Sequence, residues 1–153
     1  MKKFEFRLAA VLKLRDTQLT IEKNKLQQLF AERQKLEKNL APIEAERNES
    51  LAWIQTHASA GSADLRALSA FLLGSQARQA MVKHAIESCQ AEIEEQQSRT
   101  LAAERARKLL LNLRDQRRAE WQKDFDKELE AVAQDAWQSA ARSAADRILS
   151  SKS

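Results

Sequence analysis

The sequence predicts an all-α fold, an antiparallel two-helix coiled coil (a helical hairpin) with a short helical segment after its turn. Three observations predict it. Two long stretches carry a seven-residue repeat, one plausible loop separates them, and residues of high helix propensity dominate. Of 153 residues two are Gly, one is Pro and none is Tyr, while 31% are charged. That bias belongs to long helices and coiled coils.

The first helix is expected over about 5–56. Inward positions taken at alternating steps of four and three fall on Leu8, Leu12, Arg15, Leu19, Glu22, Leu26, Leu29, Arg33, Leu36, Leu40, Ile43, Arg47, Ser50 and Ile54. Nine of those fourteen are large aliphatics. A stripe sustained this far, with charges between, marks a coiled-coil seam. Ahead of it, Phe4 and Phe6 alternate with charged residues. Pro42 removes one backbone donor and crowds the preceding turn, so a kink or short break is expected there. The helix itself should continue, because the seam resumes in register at Ile43.

The turn is expected over about 57–64, Thr56 leading into His57-Ala58-Ser59-Ala60-Gly61-Ser62-Ala63-Asp64. Gly61 can end or punctuate a helix, and Ser62 or Asp64 can accept the free amides of the next. A short amphipathic helix should cover about 65–73, with a bend at Gly74-Ser75. The second long helix is expected over about 75–138. Counted from the short helix onward, the seam of the second stretch carries Leu68, Leu72, Val82, Ile86, Cys89, Ile93, Ala103, Leu110 and Trp121, nine apolar groups in sixteen positions. Between Arg107 and Trp121 it fills with arginines, Arg107, Arg114 and Arg117. Leu109, Leu113, Phe125, Leu129 and Val132 form a second stripe shifted around the helix, a register slip that alters supercoiling locally. The Ser- and Ala-rich tail, 139–153, is expected to fray. By length the chain is one domain, 1–153, and each helix of roughly 45 residues would run about 70 Å.

The composition narrows the classes of function. No apolar run reaches the roughly 18 residues of a membrane span. The opening Met1-Lys2-Lys3-Phe4-Glu5 lacks the apolar core of a signal peptide. A lone cysteine, Cys89, cannot pair within the chain, which fits a reducing compartment. The reading is a cytoplasmic protein. His57 and His84 have no ligand-spaced companion, two glycines cannot make a phosphate loop, and Glu94-Glu95 point to different helix faces. No catalytic, metal or cofactor site is expected, and the chain reads as a non-enzyme.

Charge is uneven. Residues 1–15 hold five basic groups and one acid, and 99–123 hold eight and three; the intervening and final blocks are slightly acidic. A hairpin folded near residue 60 would bring the two basic blocks to one end. Arg107, Arg114, Arg117, Arg118 and Lys123, with Arg7, Lys13 and Arg15 and the aromatics Phe4, Phe6, Trp121 and Phe125, are either a solvated face or a protein-docking surface. Base stacking needs aromatics on an open platform, and Trp121 falls on the seam, so no nucleic-acid partner is expected. Near the turn, Trp53, Leu65, Leu68, Phe71 and Leu72 are either a local core or a second contact surface.

Three stretches carry a family resemblance. Phe4-Glu5-Phe6-Arg7-Leu8 through Val11-Leu12-Lys13-Leu14-Arg15 resembles the opening of the FliJ family of flagellar type III export proteins. Asp64-Leu65-Arg66-Ala67-Leu68-Ser69-Ala70-Phe71-Leu72 is similar to that family's leucine-aromatic segment after the turn. Arg105-Ala106-Arg107-Lys108-Leu109 through Leu113-Arg114, Arg117-Arg118 and Trp121 resembles its basic second-helix motif. The order and spacing agree over nearly the whole chain. The sequence departs at Asp135-Ala136, where relatives often have Asp-Glu, and in the Ser/Ala tail. The resemblance implies a component of the flagellar export apparatus, similar to the stalk subunit of rotary ATPases. Implied partners are the hexameric export ATPase, the cytoplasmic domain of the export gate and export chaperones. It implies a cytoplasmic location, peripheral to the inner membrane through those partners. It also implies that Phe6, Arg7, Leu8, Arg15, Arg114, Arg117 and Arg118 enter the ring, with Phe71 and Leu72 toward the gate. Alternatives from the residues alone are a generic dimerising coiled coil and a nucleic-acid-binding rod, and the resemblance also admits a needle-type secretion counterpart.

Overall fold

The computed structural model describes residues 2–57 and 59–152. Ala58, inside the expected turn, and Met1 and Ser153, at the limits of the expected single domain, lie outside the described residues. Two helices, α1 (Ala9–Thr56) and α2 (Ser62–Ser150), pack against each other as a helical hairpin, with no strand among the described residues. The contacts divide the chain into two compact units, residues 16–105 and residues 1–15 with 106–153.

In the unit of residues 16–105 the pairing is antiparallel, because partners on α2 fall as positions on α1 rise. Lys23 meets Glu104 at 3.6 Å and Glu22 meets Gln96. Arg33 donates to Gln90 at 2.7 Å, and Arg47 to Gln79 at 2.8 Å. Thirteen of the fourteen expected inward positions of α1, Leu12 through Ile54, are buried or half-buried. On α2 the nine apolar seam groups are likewise withdrawn from solvent, Cys89 and Ile93 most completely. A period near 3.5 keeps one stripe facing the partner helix, and removing that stripe from water is the main stabilising term.

The seam is not uniformly apolar. Gln96 donates to both the backbone carbonyl and the carboxylate of Glu22. Gln79 accepts from Arg47 and donates to Glu44, which Lys83 also approaches at 4.0 Å. The Cys89 thiol donates to the Leu29 carbonyl at 3.4 Å. Buried polar groups with partners cost little and fix which residues meet, whereas slipped registers would strand them.

Four boundaries differ from expectation. The first helix begins at Ala9 rather than near residue 5, and residues 2–6 run without regular structure. Phe4 and the Lys2 carbonyl are held there by Trp121, which competes with helix formation. Leu8, expected inward, precedes the helix and is 38% exposed. α1 continues without a break through Pro42, which sits on the exposed face between the seam residues Leu40 and Ile43. The turn is shorter than expected, because α2 begins at Ser62 with Leu65 N–H bonded to the Gly61 carbonyl and Asp64 in the first turn. An acid at a helix start is favoured by the positive end of the backbone dipole.

No bend interrupts α2 at Gly74-Ser75, so the short helix and the long one are a single element. A helical glycine costs about 1 kcal/mol relative to alanine, too little to outweigh seam contacts on both sides. The tail expected to fray is helical to Ser150. Its alanines favour helix, Ser143 and Ser150 bond back to carbonyls of the preceding turn, and Arg147 stands in the last turn, where positive charge suits the dipole.

Candidate protein-docking surface

The unit formed by 1–15 and 106–153 holds an extended segment laid beside a helix. Residues 113, 117, 120, 121 and 124 recur at steps of three and four, so they share one face of α2. Trp121 anchors the segment to that face. Its indole N–H donates to the Lys2 carbonyl at 3.1 Å, and Phe4 tilts against its ring at 6.0 Å between centroids. Phe125, one turn on, stacks with Trp121 at 5.2 Å between centroids. The Ala9 N–H bonded to the Phe6 carbonyl then turns the chain into α1.

Between segment and helix lies an open groove of about 770 Å³. Phe4, Phe6, Leu8, Leu113 and Trp121 give it an apolar floor, and Lys2, Lys3, Arg7 and Arg117 supply positive charge, with Glu5, Glu120 and Asp124 among them. Arg114 pairs with Asp115 at 3.2 Å and Arg117 with Glu120 at 3.5 Å. These pairs are exposed, and such pairs are worth only about 0–1 kcal/mol. A partner carboxylate can therefore displace them at little cost. Aromatic groups beside arginines, partly shielded from water, are the combination on which protein interfaces concentrate binding energy.

The structure brings Phe6, Arg7, Leu8 and Arg117 into one groove. Arg15, half-buried and engaged with a neighbour, and Arg114 and Arg118 belong to the same unit without lining it. Phe71 and Leu72 belong to the other unit. There Leu65, Leu68 and Leu72 gather with Leu51 and Ile54 around a hollow of about 260 Å³, while Phe71 stays 37% exposed outside it. Trp53 stacks on His57 at 4.4 Å instead of joining them. Of the cluster expected near the turn, Leu68 and Leu72 are half-buried, while Leu65, like Trp53 and Phe71, stays exposed. Sequence reasoning missed Glu120 and Asp124 in the groove, although their spacing from Leu113 and Trp121 marks the face. No family model, curated protein or solved structure matches the chain significantly.

Proposed function

We propose that the chain is a non-enzymatic component of the flagellar type III protein export apparatus. In this reading it is a stalk-like coiled coil that binds the export ATPase ring and the export gate and engages export chaperones. Its location would be cytoplasmic, peripheral to the inner membrane through those partners; no helix among the described residues is long and apolar enough to cross a membrane. The reading rests on the order of the three FliJ-like stretches. The observation that carries it furthest is the groove, where the first and third of those stretches, far apart in sequence, present Phe6, Arg7, Leu8 and Arg117 together. An apolar floor with cationic groups fits an acidic loop carrying an apolar side chain. Nucleic acid is disfavoured, because Phe4, Trp121 and Phe125 pack on one another instead of opening a stacking platform.

The test replaces Arg114, Arg117 and Arg118 together by Glu and measures stimulation of the export ATPase. Arg117 and Arg118 are exposed and Arg114 is half-buried with its guanidinium paired to exposed Asp115, so the helical spectrum should be unchanged while stimulation falls by about tenfold or more, as for reversed charges at an interface. Stimulation equal to that of the unaltered chain would remove these basic groups, of which Arg117 lines the groove, from the mechanism. Phe71→Ala, at an exposed side chain outside the packing near the turn, is expected to leave stimulation intact and to weaken binding to the gate domain.

A further inference from the structure

All described residues of α2 beyond Phe125 are exposed, although the helix continues for another 25 residues. In proteins most helical stability comes from packing an apolar face rather than from propensity alone. Here that face exists. Leu129, Ala133, Ala136, Ala140, Ala144 and Ile148 recur at steps of three and four, and Trp137 beside them is 74% exposed. The charges say what covers it. Residues 124–135 hold five acids and one lysine, whereas 136–152 hold three basic groups and one acid. A parallel copy would set like charge against like; an antiparallel copy sets each acidic half against a basic one.

We propose that this part of α2 is a homodimerisation surface, pairing antiparallel with the same segment of a second copy. In a register centred between Gln138 and Ser139, Leu129 of each copy lies level with Ile148 of the other, and Glu130 level with Arg147. Asp126, one turn before Glu130, is within reach of the same arginine. The two-fold axis makes every such pair occur twice, the self-complementarity a symmetric dimer requires. The central alanines allow the helices to approach at the short end of the usual range, about 8 Å. The proposal is independent of the export reading, since no residue of the groove takes part.

Sedimentation velocity on the full chain over a wide concentration series tests it. The expected result is a reversible monomer–dimer equilibrium. Glu130→Arg and Arg147→Glu should each weaken it by about tenfold or more, and the two together should restore it. Orientation is read by disulfide trapping, with buried Cys89 as the silent background. Two copies of Ala140 would stand about 4.5 Å apart along the axis and two copies of Leu129 about 28 Å apart. Ala140→Cys should therefore cross-link and Leu129→Cys should not. A monomer at every concentration, a dimer indifferent to both reversals, or equal trapping at the two positions would each overturn the proposal. Circular dichroism of each variant checks that these surface changes leave the helices formed.

Discussion

Ser75 has no accessible surface, and its hydroxyl has no hydrogen-bond partner among the described residues. It occupies a seam position of α2, between Leu72 and Gln79. An unsatisfied buried hydroxyl costs about 1–3 kcal/mol, and serine is a weaker helix former than alanine. Ser75→Ala should therefore stabilise the fold by about 1 kcal/mol, raising the melting temperature in a thermal scan. A lowered melting temperature would mean that the hydroxyl is satisfied after all. Cys89 is the second informative residue. Burial first, then the carboxylates of Glu32 and Glu92, raise its thiol above the ordinary value of 9.0, with Arg33 opposing. A raised folded-state value means that the native chain keeps a proton the unfolded chain has released. The contribution is complete below 9.0 and is lost as pH climbs from there through the folded value. Urea midpoints should fall more steeply above that pH for the native chain than for Cys89→Ala. Parallel slopes would show that the thiol does not take part.

Among the elements, the inward face of α1 was legible almost residue by residue, because a 3.5-residue period admits one stripe and leucine marks it. The α2 stripe was legible at its apolar positions and opaque at its polar ones. Gln79 and Gln96 look like interruptions in a single strand of sequence, yet each meets a polar group on α1, Arg47 and Glu44 or Glu22. Those pairings are long-range and leave no periodic trace. Gly74 and the Ser/Ala tail misled for a related reason. Local propensity marks them as weak points, while seam packing carries the helix through Gly74, and alanine content with back-bonding serines carries it through the tail. The Glu22–Gln96 layer gives a prediction of its own. The Glu22 side chain is only 15% exposed, so Gln96→Leu leaves a nearly buried carboxylate without its amide donor. The expected loss is about 1–3 kcal/mol. Glu22→Leu combined with Gln96→Leu should recover that loss or exceed the native stability, since an apolar layer replaces a desolvated one. Denaturant unfolding of the four chains of the cycle decides it. A double variant no better than the single one would show that the layer does more than set the register.

For the molecule as a whole, charge divides as the contacts do. The unit holding 1–15 and 106–153 has fifteen basic groups against nine acids, and the unit of 16–105 has eleven against thirteen. The concentration of positive charge was legible from counting. The groove was only partly so, since nothing local announces that Trp121 donates to Lys2 or that residues 2–6 stay out of the helix. Long-range steering of an acidic partner follows from that imbalance and weakens with salt. The fold of the unit 16–105 depends on α1 and α2 of one chain lying side by side in opposite directions. The native thiol offers a direct test, because Cys89 faces the Leu29 backbone at 3.4 Å. With Leu29→Cys introduced and mild oxidation, a disulfide should form within a single chain, giving a monomer of altered mobility that reverts on reduction. Failure to form it, or disulfides found only between chains, would contradict the hairpin.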